Sequence, residues 1–246
     1  MPRRESPVLI LTRPEVAARR TLRALGPLPV VPILSPLIRI APIEGVAAPR
    51  DVRGLVLTSG NGVEAAVRLG LASELPAWCV GGGTAARARR AGWRAQSADG
   101  DADALVRLIL DRRPAGPLLH IRGEHARGDV AERLCAGGVA CRDLVAYRQE
   151  PLPLTEAARA RLNGSAPVIL PLYSPRTARI LARSGEFSAQ IHIVAMSEAV
   201  AEAARDLAAR STEIAPVPDN AAMAEAILRK IAALHPGPLE SPDRTD

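Results

Sequence analysis

Aromatic side chains are scarce in this 246-residue chain, where tryptophan, tyrosine and phenylalanine together make up 2% of the residues. Single-stranded nucleic acids bind by stacking their bases on aromatic side chains, so this scarcity argues against them as ligands. The arginines are scattered along the chain, whereas a nucleic-acid-binding surface gathers its basic residues in one stripe. We therefore predict no nucleic-acid partner, although the formal net charge is +6.

Long hydrophobic runs are also lacking. No apolar run approaches the roughly 20 residues that a membrane-spanning helix needs. The apolar run near the N-terminus, residues 8–11, is shorter than the core of a signal peptide, which has about 7–15 residues. The sequence therefore predicts a cytoplasmic protein that does not bind a membrane.

Metal and cofactor motifs are missing too. The histidines show no metal-ligand spacing, and the cysteines form no Cys-x-x-Cys pair, which predicts reduced thiols and no metal site. The "GGGTAA" segment at 81–86 does not match the Gly-x-Gly-x-x-Gly fingerprint of dinucleotide-binding folds, and there is no Walker pattern with lysine. An NAD-type enzyme is accordingly disfavoured. The cysteines are Cys79, Cys135 and Cys141.

What the chain does contain is an alternation of short apolar runs with helical stretches rich in alanine and arginine. Continuous apolar strands between amphipathic helices are typical of parallel sheets covered on both faces. The predicted strands are 7–12, 53–59, 77–81, 117–123, 167–174 and 191–197. The predicted helices are 15–25, 62–72, 83–92, 101–112, 128–138, 175–185 and 198–210, and residues 235–246 are predicted to be disordered.

An internal repeat divides this pattern in two. Ser59 and Ser174 stand 115 residues apart at the ends of similar apolar runs, and Val80 and Ala195 have the same separation. The segment that begins at Pro7 recurs 110 residues later. A period this long indicates two similar domains and excludes a solenoid.

Four loops of the predicted fold follow strand ends and lead into helices: 58–62, 81–84, 173–176 and 196–198. Helix N-termini carry unpaired N–H groups and partial positive charge, and ligands of parallel sheets bind at this edge. The loops are therefore candidates for holding carboxylates. The plainer interpretation is that their Ser, Thr and Asn residues merely cap helices.

Six motifs lie along the chain at characteristic places: "LTRP" (11–14), "LVLTSGNGV" (55–63), "VGGGTAARARRAG" (80–92), "HIRGE" (120–124), "LVAYR" (144–148) and "YSPRTA" (173–178). In their order and spacing, these motifs resemble those of the uroporphyrinogen-III synthase family. The second domain departs from the family's Gly-Pro-Thr-Thr-like loop, because this chain has "AMSEAV" there, with Ser197 as its one hydroxyl side chain.

The resemblance implies two flavodoxin-like α/β domains joined by two extended segments, one inserted in the other. Residues 1–38 with 150–246 would form one domain, and residues 39–149 the inserted one. It also implies a cofactor-independent lyase of tetrapyrrole and heme biosynthesis. The substrate would be hydroxymethylbilane, a polycarboxylate that is closed, in the cleft between the domains, to uroporphyrinogen III with inversion of ring D and loss of water. We expect a monomer.

The resemblance also nominates site residues. Tyr147, in the family's "VYR"-like motif, would donate a proton near the leaving hydroxyl, and its plainer alternative is a packing residue at the domain boundary. Arg13 and Arg122 would bind carboxylates, although an ion pair within the fold would equally explain Arg122. The loops would bind substrate through Ser59, Gly60, Asn61, Gly82, Gly83, Thr84, Ser174 and Ser197.

A rival hypothesis remains open from the residues alone. Two α/β lobes that close on a small anion would give a non-catalytic binding or sensor module. The sequence contains no evident nucleophile–base pair that would exclude it.

Overall fold

The computed structural model describes residues 5–125 and 128–235. The predicted disordered tail therefore lies outside the described residues, except for His235. Elements are numbered in chain order, and the described residues contain eleven strands: β1 (Val8–Leu11), β2 (Pro32–Leu34), β3 (Ile38–Pro42), β4 (Gly54–Leu57), β5 (Pro76–Cys79), β6 (Arg94–Ser97), β7 (Leu118–Gly123), β8 (Cys141–Pro151), β9 (Val168–Leu172), β10 (Ile191–Ala195) and β11 (Ser211–Ile214).

Nine α-helices connect these strands within the described ranges. Seven of them overlap the stretches predicted to be helical, whereas α6 and α9 were missed. None of the described helices is long and apolar enough to cross a membrane. The helices are α1 (Glu15–Leu25), α2 (Gly60–Arg68), α3 (Gly82–Arg90), α4 (Ala102–Arg112), α5 (Val130–Ala136), α6 (Glu156–Leu162), α7 (Pro175–Ala182), α8 (Glu198–Ala203) and α9 (Asn220–Leu234).

Side-chain caps fix where five of these helices begin. In each case an oxygen of the capping side chain accepts a hydrogen bond from the backbone N–H three residues later, which satisfies one of the unpaired donors of the first turn. Loss of such a cap typically costs about 1 kcal/mol. The capping residues are Ser59, Asp101, Thr155, Ser174 and Asp219.

The chain forms two compact units. The discontinuous unit combines the stretch up to Arg39 with the stretch from Pro151 onward, and the inserted unit runs from Ile40 to Glu150. The discontinuous unit contains a five-stranded sheet of order β11-β10-β9-β1-β2, and all four neighbouring pairs are parallel. The inserted unit contains a six-stranded sheet of order β3-β8-β7-β4-β5-β6.

The two sheets share one strand order. Numbered along its own chain, the discontinuous unit has the flavodoxin-like order 2-1-3-4-5. If β7 and β8 are numbered 1 and 2, and β4, β5 and β6 are numbered 3, 4 and 5, the inserted unit has the same order. Its remaining strand, β3, is an additional strand at the edge. The repeat predicted from sequence is therefore a repeat of structure, and the inserted unit is a circular permutation of the other.

The strand register corrects one detail of the predicted repeat. Leu9 of β1 lies opposite Ile169 of β9, and Leu118 of β7 lies opposite Gly54 of β4. Gly54 and Ile169 are 115 residues apart, the same separation as the repeated serines, so Leu118 corresponds to Leu9. The offset between β1 and β7 is therefore 109 residues, and the predicted 110 was wrong by one.

Both sheets are buried on both faces, as their continuous apolar strands predict. In the discontinuous unit, α6, α7 and α8 pack on one face and α1 and α9 on the other. In the inserted unit, α2 and α3 cover one face and α4 and α5 the other. All three cysteines are free thiols, two of them buried and Cys135 exposed.

Candidate functional site

In each unit the direction of strand addition reverses at one point, between β1 and β9 in the discontinuous unit and between β7 and β4 in the inserted unit. Ligands of open α/β sheets bind beyond the carboxyl ends of the strands that flank this point. Arg13 and Ser174 follow those strand ends in one unit, and Ser59 and Arg122 stand there in the other. In each unit, the fold therefore places a predicted arginine and a predicted serine at the carboxyl ends of the strands that flank the reversal point.

The two repeated serines are helix caps. Ser59 Oγ accepts a hydrogen bond from the N–H of Gly62 at 3.1 Å, and Ser174 Oγ accepts one from the N–H of Thr177 at 3.2 Å. This agrees with the plainer interpretation of these loops. Each cap satisfies only one N–H group of the first turn. The other N–H groups of that turn have no intrahelical acceptor, so both loops still present backbone donors.

The other two loops begin α3 and α8 with the extended N-cap residues Gly81, which has no side chain to cap with, and Ser197, whose hydroxyl makes no cap hydrogen bond. Helix α8 has only six residues, so its N-terminus is the poorest anion site of the four. The N–H of Thr84 already donates to the carbonyl of Gly81 at 3.1 Å. The remaining predicted loop residues stand in the first turns of α2 and α3: Gly60, Asn61, Gly82, Gly83 and Thr84.

Tyr147 is hydrogen-bonded to one of these capped loops. Its phenol oxygen lies 3.0 Å from Ser59 Oγ, and its side chain is 5% exposed. Tyr147 stands opposite Gly123 in the β7–β8 pair, where an added Cβ would come within 2.5 Å of the tyrosine ring. Burial raises the pKa of Tyr147, which outweighs the lowering effect of the Ser59 hydrogen bond, so the phenol is protonated at neutral pH.

Arg13 is a partly buried cation held by neutral groups. Its guanidinium lies 3.8 Å from the centre of the Tyr173 ring, and its Nη1 donates hydrogen bonds to Thr21 Oγ1 at 3.1 Å and to Asn220 Oδ1 at 2.9 Å. Among the described residues no carboxylate pairs with it. Burial lowers the pKa of Arg13, but an arginine remains charged at neutral pH. An anion would therefore find a positioned and uncompensated positive charge here.

Arg122 differs because it has a carboxylate partner. Its Nε donates to Asp143 Oδ2 at 2.7 Å, and the other carboxylate oxygen of Asp143 lies 2.8 Å from His120 Nδ1. On its other side, His120 Nε2 lies 3.3 Å from Thr58 Oγ1. The charge of Arg122 is thus compensated within the fold, which favours the ion-pair alternative left open by the sequence.

The corrected register makes Arg13 and Arg122 equivalent positions of the two units. Their surroundings nevertheless differ. Where the inserted unit has Thr58, His120 and Asp143, the corresponding residues of the discontinuous unit are Tyr173, Leu11 and Leu34. One arginine is therefore supported by an aromatic ring and the other by a carboxylate.

Arg87, which no sequence pattern singled out, also lies at the α2 loop. A Cβ on Gly60 would overlap its guanidinium, so this charge lies directly over the first residue of α2. Arg87 forms an ion pair with the exposed Glu64, at 3.2 Å. A side chain at position 60 would have to displace the flexible end of Arg87, so the glycine leaves room for this charge.

A family model described as uroporphyrinogen-III synthase HemD matches residues 17–225, which is most of the chain. The chain belongs to the uroporphyrinogen-III synthase family. The predicted family and enzyme class, a lyase of tetrapyrrole biosynthesis, are thereby confirmed. A search of curated proteins gives no match.

Solved uroporphyrinogen-III synthases share the fold. The protein of Helicobacter pylori superposes with a TM-score of 0.67 at 15% identity, over 91% of this chain and 99% of that one. A mutant of the Thermus thermophilus protein superposes with a TM-score of 0.51 at 16% identity, over 93% of this chain and 100% of that one. These likenesses support the predicted fold class of two parallel-sheet α/β domains.

Within this uroporphyrinogen-III synthase fold, the predicted residues form separate groups. Ser59 and Tyr147 are in contact, whereas Arg122 is tied to Asp143 and Arg13 to Tyr173. In the described parts of the chain, no cluster of three or more His, Cys, Asp or Glu residues could hold a metal ion.

His120 and Asp143, which are hydrogen-bonded at this edge, were likewise not singled out from the sequence. A signal for His120 was present, because it is a polar residue in the otherwise apolar run "LLHI". Asp143 gave no such signal, since its role depends on lying opposite His120 in the β7–β8 pair. Arg87 depends likewise on the packing of α3 against α2.

Replacing Gly82 with proline tests the role of backbone donors. Gly82 is the first residue of α3 and follows the extended Gly81, a place where proline is well tolerated. We expect an unchanged unfolding midpoint and a KM raised about tenfold, because one N–H to a carboxylate is lost. Ala102→Pro, at the first residue of α4, is the matched control. An unchanged KM in Gly82→Pro would remove this N–H from the site.

Proposed function

We propose that this member of the family converts hydroxymethylbilane to uroporphyrinogen III, inverting ring D and releasing water. The observation that carries the proposal is the buried phenol of Tyr147, hydrogen-bonded to the serine that caps α2 at the ligand-binding edge of the inserted unit. A protonated, oriented phenol is the kind of neutral donor that departure of the substrate's hydroxyl needs. The family match supports the same reaction.

The first step is driven mainly by the substrate itself and needs little catalytic assistance from the protein. A pyrrole nitrogen of the substrate pushes out the terminal hydroxyl, and Tyr147 donates a proton so that it leaves as water. The resulting azafulvene is attacked by the last ring through its substituted α-carbon, which gives a spiro intermediate. Fragmentation and reclosure then invert that ring. Catalysis of this sequence depends mainly on how the substrate is held.

We further propose that substrate carboxylates are bound by Arg13 and by the helix N-termini. Arg13 supplies an uncompensated positive charge on a guanidinium, a group that can bind a carboxylate through two parallel hydrogen bonds. The first turns of the helices supply unpaired N–H groups. Arg87 adds a positive charge beside the α2 loop. Arg122 is assigned a supporting role through Asp143. The proposed loop contacts are Ser59, Gly60, Asn61, Gly82, Gly83, Thr84, Ser174 and, less favoured because α8 is short, Ser197.

The remaining parts of the proposal concern partners. We propose a cytoplasmic monomer that needs no cofactor and binds neither nucleic acid nor a membrane. The scarcity of aromatic residues and the scattered arginines support the absence of nucleic-acid binding.

The deciding experiment uses freshly prepared hydroxymethylbilane. The protein is incubated with it, and the porphyrin isomers are resolved after oxidation. Type III product, formed faster than the spontaneous type I product, is the expected result. Type I product alone, at the rate of the uncatalysed reaction, would favour a non-catalytic anion-binding module.

Salt should weaken substrate binding. The ligand is a polyanion, and interactions between exposed charges are screened beyond about 10 Å at 0.1 M salt. We expect KM to rise steadily between low salt and about 0.5 M, with a smaller change in kcat. The uncatalysed cyclisation measured in the same buffers is the control. A KM that stays constant would contradict recognition through carboxylates.

A further inference from the structure

Three side chains of the inserted unit form a connected chain of hydrogen bonds. Asp143 Oδ1 lies 2.8 Å from His120 Nδ1, and Thr58 Oγ1 lies 3.3 Å from His120 Nε2. A carboxylate can only accept, so Nδ1 of the neutral imidazole carries the hydrogen and donates it to Asp143. Nε2 is then the acceptor, and the Thr58 hydroxyl donates to it. This tautomer gives the three groups the order of a proton relay from Thr58 to Asp143.

The relay has a buried centre and accessible ends. His120 is 1% exposed, whereas the side chain of Asp143 is 36% exposed and Thr58 is partly exposed. Burial lowers the pKa of His120, against the raising effect of Asp143, so the imidazole is neutral at neutral pH and free to accept a proton. The relay therefore connects the ligand-binding edge with solvent.

The fold does not require these polar groups. At the equivalent positions of the discontinuous unit stand Leu11 in place of His120 and Leu34 in place of Asp143, with the same strand pairing. Burying a histidine costs free energy that two leucines avoid. A structural need common to both units therefore does not explain the relay.

Its position points to the reacting groups. Thr58 directly precedes Ser59, which is hydrogen-bonded to Tyr147. The proposed proton acceptor, Thr58, and the serine that is hydrogen-bonded to the proton donor, Tyr147, are thus adjacent residues that directly follow β4. The Thr58–His120 distance is longer than an ideal hydrogen bond, as is common in catalytic relays without bound substrate.

We propose that Thr58, His120 and Asp143 are the proton acceptor of the cyclisation, with Thr58 the catalytic residue that touches the substrate. The inference rests on the proposed function. When the inverted ring closes through its unsubstituted α-carbon, that carbon keeps its hydrogen beside the new bond. Its proton passes to Thr58 Oγ1 while the C–H electron pair returns to the pyrrole ring.

The remaining transfers balance the reaction. The hydroxyl proton of Thr58 passes to His120 Nε2, and the imidazolium is stabilised by Asp143. Tyr147 has meanwhile given one proton to the leaving hydroxyl, so one proton is gained by the protein and one is lost. The proton taken up by His120 is released to solvent beside the exposed Asp143, and Tyr147 regains a proton from solvent through its partner Ser59, which is partly exposed.

The charges around His120 agree with this role. Asp143 on β8 favours the imidazolium, and Arg122 on the same strand as His120 opposes it. The next titratable side chain of β8 on this face, Cys141, is neutral because burial raises its pKa to about 12. An ion pair between Arg133 of α5 and Asp103 of α4, 2.8 Å apart, lies on the helices that cover this face and is half exposed.

The test is His120→Gln, which keeps a donor and an acceptor but cannot take up a proton. We expect kcat to fall about 10²-fold with little change in KM, and the product to remain type III. The wild-type rate should decline below pH 6.5 as His120 becomes protonated, and this decline should be absent from the variant. Thr58→Val removes the hydroxyl at nearly constant volume and should reduce kcat similarly.

His192→Gln is the matched control, since His192 is another buried histidine, bonded through Nδ1 to Ser211 Oγ at 2.8 Å, in the other unit. Its kcat should equal that of the wild type.

If His120→Gln does not fold, the replacement of the partly exposed Thr58 by valine carries the test. Wild-type kcat and pH profile in Thr58→Val or His120→Gln, with type III product from the wild type, overturn the relay and leave the proposed function standing. A higher KM with an unchanged pH profile would assign His120 to holding Arg122 and would likewise overturn it. Absence of type III product from the wild type overturns both.

Discussion

Replacing Tyr147 with phenylalanine should lower kcat by about 10²-fold or less and leave the product as type III. The low end of the range for general acids applies, because the pyrrole nitrogen already drives departure of the hydroxyl. Ring inversion depends on how the substrate is held, and phenylalanine keeps the ring that packs against Gly123. Single-turnover rates and isomer analysis of the product measure the two effects separately.

The chain offers a matched control for this change, because Tyr173 is its one other tyrosine. Tyr173→Phe keeps the ring under Arg13 and should leave kcat unchanged. The unfolding midpoint of each variant must be compared with its rate. An unchanged rate in Tyr147→Phe would make Tyr147 a packing residue. Type I product at the full rate would make its role steric control of the attacking ring.

Replacing Arg13 with methionine should raise KM about 10- to 100-fold and change kcat much less. A hydrogen bond to a charged group is worth about 1.5–3 kcal/mol, and each 1.4 kcal/mol is a factor of ten in binding. The guanidinium has no carboxylate partner among the described residues, so its removal leaves no buried anion behind. Arg13→Lys should be intermediate, because lysine keeps the charge but not the fork.

Arg19→Met provides the matched loss of one charge in the same unit. Arg19 is exposed and paired with Glu15 of its own helix at 2.7 Å, so its KM should be that of the wild type. Equal increases of KM in the two variants would mean that overall charge, and not a contact at Arg13, attracts the substrate. The salt dependence of KM should be weaker in Arg13→Met than in the wild type.

The elements with strong local signals were predictable from the sequence. The helix α1 begins and ends as predicted, and each of the six buried strands begins within one residue and ends within two residues of its predicted run. The edge strands β6 and β11, "RAQS" and "STEI", were not predicted because they are short and largely polar, and they are strands only through pairing with a neighbour. Helix α9 could have been predicted, since Asp219 caps a segment of strong helix formers.

The contacts of the candidate site likewise divide into local ones, which the sequence could indicate, and long-range ones, which it could not. Caps such as Ser59 act over three residues, so the sequence could indicate them. The bond from Ser59 to Tyr147 joins residues 88 positions apart, and that from Arg13 to Asn220 joins residues 207 positions apart. Such contacts depend on strand register and helix packing, which no local pattern encodes. The same limit explains the one-residue error in the offset between β1 and β7.

The chain enters the inserted unit through β3 and leaves it through β8, and these two strands are neighbours in one sheet. Beside these crossings the N–H of Leu152 donates to the carbonyl of Leu37 at 2.9 Å, and the N–H of Ile43 donates to the carbonyl of Ala146 at 3.1 Å. The cut ends of either unit would therefore be hydrogen-bonded neighbours, which a short turn can join. Removing either unit would thus leave two chain ends that can be rejoined without stretching the unit that remains, which makes these crossings the natural points for exchanging a unit between homologues.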